Sequence, residues 1–187
     1  MNRLFLKVFT ASEDYFKLFI YSDKGDFIAR GAMKLQDDGE ILAVTDTLAR
    51  RNFGSYLYDF MAMFAHERGL KVTCDMEGNS RVGAIKNWQR MYNDSSFNRV
   101  ILDEYYKPYI EWTTVEDDPF YFTAFSKAPS DLYLSLKTDD NIDDLFHSVI
   151  KHFEDDELDG ISYQNDCNKW MDDEFPIDRE KLAILLK

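Results

Sequence analysis

The sequence predicts an α/β (α+β) fold: a mixed, mainly antiparallel central sheet flanked by helices, followed by a small, acidic, mainly helical C-terminal extension. Three features predict it. Short alternating or apolar runs, separated by tight-turn signals, fill the first 45 residues. A basic loop with a glycine, Ala49-Arg50-Arg51-Asn52-Phe53-Gly54-Ser55, then joins a strand-like run to an amphipathic helical one. Charge also divides the chain. Residues 1–101 hold 14 Lys/Arg and 13 Asp/Glu, a net of +1, which leaves 8 and 22 for residues 102–187, a net of −14.

Residues 3–10 and 15–21 alternate or run apolar and aromatic, and are predicted as strands. Ser22-Asp23-Lys24-Gly25-Asp26 carries a hairpin-turn signal before a third strand over 27–35. Gln36-Asp37-Asp38-Gly39 makes the next turn, before a fourth strand over 41–45. Four successive strands with tight turns imply an antiparallel meander. The period then changes. Leu57, Phe60, Met61, Phe64 and Ala65 fall on one face of a helix that Gly69 ends. A strand over 70–75 follows, so strand, helix and strand form a crossover, with a parallel pair expected. A second helix, capped by Asn79 or Ser80, carries Val82, Ile85, Trp88 and Tyr92 on one side.

Residues 99–103, 109–115 and 120–125 read as further strands, the last two separated by Glu116-Asp117-Asp118-Pro119. The character shifts at Ala128-Pro129-Ser130, which sets a first domain over 1–128 and the acidic extension over 129–187. Within the extension, Ile142, Leu145, Phe146, Val149, Ile150 and Phe153 keep helical spacing, and a final helix is expected over 176–186. That apolar stripe needs a cover, and the preceding domain is the nearest candidate.

Composition narrows the function. With 15 Phe, 11 Tyr and 3 Trp in 187 residues, the chain is expected to bury a sizeable core rather than stay disordered. No run approaches the roughly 20 apolar residues of a membrane span. The charges at Arg3 and Lys7 argue against a signal peptide, and Cys74 and Cys167 stand in no metal or redox spacing. Two reduced thiols in a cytoplasm are the expectation. The acidic C-terminal half disfavours direct nucleic-acid binding and suits a basic protein partner, or serves only as a solvated face. His147 and His152 are five apart, not the four that places two ligands on one helical face, so no metal site is expected. No P-loop, nucleophile elbow or zincin signature occurs.

The strand–basic loop–helix–strand passage is where chemistry concentrates. Backbone N–H groups at the start of a helix, with the helix dipole, bind diphosphates, so the segment suggests a nucleotide-tailed cofactor. The four-strand meander, this loop and helix, the next strand and the second helix resemble the GCN5-related N-acetyltransferase family over roughly residues 3–125. In that family the loop is written Arg/Gln-x-x-Gly-x-Gly/Ala. Setting Gly54 on its last glycine puts Ala49 on the Arg/Gln and Asn52 on the first glycine. Asn tolerates a left-handed backbone better than other non-glycine residues.

The resemblance implies that acetyl-CoA is the substrate. Arg50, Arg51, Asn52, Phe53, Gly54 and Ser55 would hold its diphosphate, and strand amides near Val44 would polarise its thioester carbonyl. The segment Ala84-Ile85-Lys86-Asn87-Trp88-Gln89-Arg90-Met91-Tyr92 resembles the family's second helix, with Asn79 near the place of its asparagine. Trp88 falls where the family has a tyrosine that protonates the departing thiolate. An indole cannot do so, which leaves Trp88 as packing or as a wall beside the pantetheine, and Tyr92 as the substitute acid.

The acceptor amine must lose a proton. Glu40, Asp46 and Asp75, at the ends of the central strands, are the candidate bases, each with an alternative role as a turn or cap carboxylate. Two functions follow. One is an N-acyltransferase acting by direct attack on an amine of a protein or small molecule. The other is a binding or inhibitory protein on the same scaffold, catalysis lost, that blocks a basic or nucleic-acid-binding partner with its acidic surface. Phage-encoded and plasmid-encoded proteins include both kinds.

Overall fold

A computed structural model describes residues 4–23, 27–50, 52–74, 82–102 and 122–137. In chain order the elements are β1 (Leu4–Ser12), β2 (Tyr15–Ser22), β3 (Phe27–Leu35), β4 (Ile41–Ala49), α1 (Gly54–Glu67), β5 (Lys71–Cys74), α2 (Val82–Asn93), β6 (Asn98–Ile101), β7 (Thr123–Ser126) and α3 (Asp131–Leu136). The strands form one sheet in the order β1-β2-β3-β4-β5-β7-β6. It is an α+β arrangement with a mixed, mostly antiparallel sheet. The one parallel pair among these strands is β4 with β5, as the crossover predicts.

The meander is built by local chemistry. Between β3 and β4, Gly39 takes φ +72°, and Asp38 Oδ1 accepts the amides of Glu40 (2.9 Å) and Ile41 (3.1 Å). An aspartate bonded to its own downstream backbone fixes such a reversal. Helix α1 ends as Gly69 predicts. At φ +70°, Gly69 donates to the His66 carbonyl at 3.0 Å, and Leu70 donates to that of Ala65 at 2.8 Å. These two hydrogen bonds satisfy carbonyls that the helix leaves open.

Pairing register divides the sheet into two faces. On the first, Leu6, Ile20, Ala29 and Ala49 form one row, and Val8, Leu18, Gly31 and Thr47 the next. Helix α1 lies here, so close at Gly31 that a Cβ there would sit 2.5 Å from Met61 Sδ. Helix α2 joins it through Trp88, stacked on Phe125 of β7, and α3 through Tyr133 against Phe60. On the second face, Lys7, Phe19, Arg30 and Leu48 share a row, followed by Phe9, Lys17, Ala32 and Asp46.

Several boundaries differ from expectation. Strand β4 does not end at residue 45 but continues to Ala49, because β3 remains alongside and pairs Ala29 with Ala49. The register shifts between Ala32, opposite Asp46, and Met33, opposite Val44, so Thr45 is the extra residue of a bulge. Pairing with β5 ends at Val44↔Cys74. The later strands β6 and β7 are shifted from their expected spans to 98–101 and 123–126. In α2 the buried side chains are Trp88 and Met91, with Ile85 and Tyr92 half-buried.

The first residues of the acidic extension are part of this architecture. Ser130 caps α3 by accepting the Tyr133 amide at 3.2 Å, and Tyr133 and Leu136 are buried. Lys137 then bridges to Leu6 of β1 in parallel. The expected strand over 109–115, its turn at 116–119, and the helices over 142–153 and 176–186 lie outside the described residues.

Candidate functional site

The connection from β4 to α1 is four residues, 50–53. Arg50 keeps the sheet pattern for one more bond, its amide donating to the Ile28 carbonyl at 2.9 Å. The Phe53 amide then reaches back to the Arg50 carbonyl at 2.9 Å, and Asn52 between them is left-handed at φ +70°. This is the place where a left-handed backbone was expected, and asparagine accepts it at small cost. Phe53 occupies the N-cap, fully buried against Tyr56 (5.4 Å between ring centroids) and Phe60 (6.4 Å).

An aromatic N-cap anchors the helix but cannot bond its first amides. Among the described residues no side chain caps α1, and its first turn carries no acidic residue. Those amides and the positive end of the helix dipole therefore suit an anionic ligand, and no like charge in the first turn opposes one. A side chain at Gly54 would make only ordinary contact, its Cβ 3.4 Å from Asn87 Nδ2, so α2 runs close beside the turn.

The nominated residues fall in different places. Asn52, Phe53, Gly54 and Ser55 form the turn and first helical residues; the Ser55 carbonyl accepts Arg90 Nη2 at 3.1 Å. Arg50 is buried, and its Nε donates to the Phe27 carbonyl. Its guanidinium thus braces the start of β3 beneath the turn instead of standing over it. Val44 is a core residue that closes the β4–β5 pairing. Trp88 is buried between Phe125 and an edge-on Tyr58 at 5.0 Å, which makes it packing and not a wall open to a ligand.

Tyr92 sits near the far end of α2, with the Arg99 guanidinium 5.5 Å over its ring and an Arg99 hydrogen bond to its carbonyl. Asp46 is ion-paired with Arg30 on the second sheet face. Glu40 belongs to the turn before β4, roughly 30 Å of strand away from Ala49. The structure therefore does not bring Glu40 or Tyr92 to the turn. Arg51, Asp75 and Asn79 lie outside the described residues, as do His147 and His152.

One polar group went unmarked in the sequence. Tyr58, buried on α1, shares a hydrogen bond of 3.3 Å with Thr47, in the stretch of β4 that continues past the end of β5. Burial pushes its phenol up to about 12; the Thr47 bond opposes this, and Cys74 and Asp46 add to it. Tyr58 is therefore a neutral, protonated hydroxyl at physiological pH, next to the end of β5. Its position beside Leu57 in an aromatic helix reads locally as core, and its partner lies eleven residues back.

A charged clamp fixes α1 against α2. Asp59 pairs with Arg90 and, at 2.7 Å, with Lys127, whose ammonium lies 4.4 Å over the Phe97 ring.

No family model, curated protein or solved structure matches this chain.

Among the described residues no three His, Cys, Asp or Glu gather as a metal site requires, and no helix is long and apolar enough to cross a membrane. What the arrangement offers is a left-handed turn at Asn52 leading into a helix N-terminus, beside a short parallel crossover.

Proposed function

We propose that this chain binds acetyl-CoA with its diphosphate at the β4–α1 turn and transfers the acetyl group to an amine. The observation that carries this reading is Asn52 at φ +70°, set between a strand end and a helix whose N-terminus no described side chain caps. The antiparallel meander, the parallel crossover and α2 alongside the turn agree with the N-acetyltransferase-like order of elements. The donor set fits the ligand: first-turn amides, the helix dipole and no acidic residue in that turn.

The reaction is direct. The amine nitrogen bonds to the thioester carbon, the carbon–sulfur bond breaks, and the proton lost by the amine balances the one the thiolate gains. Of the two described carboxylates nominated as base, Asp46 is the nearer to the turn along β4. Its carboxylate is engaged by Arg30, so it is available to take the proton only if the amine displaces that partner.

That same pairing favours a second reading, in which the scaffold binds the cofactor without turnover and its acidic half engages a basic partner. Calorimetric titration with acetyl-CoA decides between them when joined to an amine-acetylation assay. Heat of binding that Gly54→Glu abolishes is expected, since the new carboxylate would oppose the diphosphate without a steric conflict of its Cβ. No heat with the wild-type chain would refute both. Binding without acetylation of any amine tested would leave the second.

A further inference from the structure

All three described helices cover the first face of the sheet, yet the second face is buried as well. Phe19 is 4% exposed, Tyr21 0%, Ala32 1% and Ala43 2%, and register places all of them on the side away from α1. This face is also basic. Strands β1 to β5 carry Lys7, Lys17, Arg30, Lys34 and Lys71 against a single acid, Asp46, and the rows shared with Phe9, Phe19, Ala32 and Ala43 hold most of them. An aromatic surface framed by cations suits an apolar helix with acidic flanks.

We infer that the occupant of this face is the chain's own segment 142–153, folded over β1–β4 from the edge at β1. Its stripe of Ile142, Leu145, Phe146, Val149, Ile150 and Phe153 recurs at helical spacing, with Asp143 and Asp144 within it and Glu154-Asp155-Asp156-Glu157 just beyond. Residues 138–187 hold 15 Asp/Glu against 5 Lys/Arg, so charge complements the face.

Length and position agree. Twelve residues make a helix of roughly 18 Å, and three strand spacings from β1 to β4 span roughly 14 Å. The described chain ends at Lys137, bridged to Leu6 on β1, which puts its exit at that edge of the sheet. Five steps from Lys137 to Ile142 reach at most about 17 Å, enough to cross the roughly 10 Å between packed layers. Phe9, still 42% exposed, marks where the aromatic surface reaches solvent.

Zero-length carbodiimide cross-linking of the full chain tests this, with equal parts of nitrogen-14 and nitrogen-15 protein and mass-spectrometric readout. Links within one chain from Lys7 or Lys17 to carboxylates between 143 and 157 are expected. Links of mixed isotope would place a second copy on the face, and no links to that segment would leave it uncovered by it; either overturns the inference. A second measurement uses Phe146→Asp/Val149→Asp. Acetylation of Lys7 and Lys17 by a succinimidyl ester should rise about tenfold against exposed Lys86, as expected when a local cover opens. Unchanged rates in a folded variant overturn it too. The cross-linking needs no variant and stands whether or not the double substitution folds.

Discussion

The hydroxyls of Tyr58 and Thr47 meet at 3.3 Å and tie the start of α1 to the part of β4 that extends past β5. Because burial raises the Tyr58 phenol to about 12, the folded state holds that proton more tightly than the unfolded chain, whose tyrosines titrate near 10. The associated stability is fully present below about 10 and is lost as pH rises through about 12. Spectrophotometric titration should show a late-ionising tyrosine that Tyr58→Phe removes. Ionisation of every tyrosine near 10 in the folded chain would contradict the assignment.

Asn52 should tolerate glycine and resist a β-branched residue. Asn52→Gly keeps the left-handed conformation freely accessible and is expected to change stability by less than about 1 kcal/mol. Asn52→Val should cost about 1–2 kcal/mol, read from denaturant midpoints, and weaken acetyl-CoA binding beyond its effect on folding. Equal behaviour of the two variants would mean that the turn does not need its left-handed residue.

Gly31 is a contact-limited position. A valine there meets Met61 and Leu57 across the helix–sheet contact and should destabilise the chain by about 1–3 kcal/mol. Combining Gly31→Val with Met61→Ala makes room for the new side chain, so the double variant should lose less than the sum of the two. Strict additivity in thermal or chemical unfolding would place α1 elsewhere.

Asp59 holds two cations of different elements, Arg90 of α2 and Lys127 beyond β7. Its replacement by alanine leaves both partly buried and short of a counter-charge, at an expected cost of about 1–3 kcal/mol. Arg90→Met in the Asp59→Ala background should recover part of that loss. Failure to recover any would show that packing, not charge, dominates the clamp.

The contact between α3 and the end of α1 should be acid-sensitive. Burial pulls the Glu67 carboxyl up, but hydrogen bonds from Lys137 and Tyr133 and the charges of Lys137 and Arg68 outweigh it, leaving the group below its ordinary value. Its contribution is therefore present above about 4.5 and lost as pH falls through the depressed value. Glu67→Gln should flatten the acid limb of the stability profile, and an unchanged limb would exclude Glu67 as its source.

The parts of the fold legible in the sequence are those whose cause is local. Asp38-Gly39 and Gly69 mark reversals that their own backbones make, and the apolar spacing from Leu57 to Ala65 sets one helix face. Asn52 was legible for the same reason. The four-residue extension of β4 was not, because it depends on β3 alongside, and Thr45 is a bulge that breaks the alternation. Nor was the burial of Arg50. Two adjacent arginines read as a displayed positive patch, while the acceptor of Arg50 is a carbonyl 23 residues earlier. Glu40 and Asp46 both sat near strand ends in sequence, but register places Asp46 inside β4, ion-paired with Arg30, and Glu40 in the turn before the strand.

The strand order has a consequence for synthesis. Strands β5 and β6 are both complete by residue 101; β5 pairs with β4 on one side, but its other side and β6 are linked only by β7, which ends at Ser126. On a ribosome adding about 5–20 residues per second, β5 waits roughly 3–10 seconds with no β7 to pair with. The β1–β4 meander, made of near-neighbour contacts, can form during that interval and provide the template on which β5 docks. The last-made of the described strands is thus an interior one, and the open side of β5 during that delay is where these strands are most exposed to mispairing.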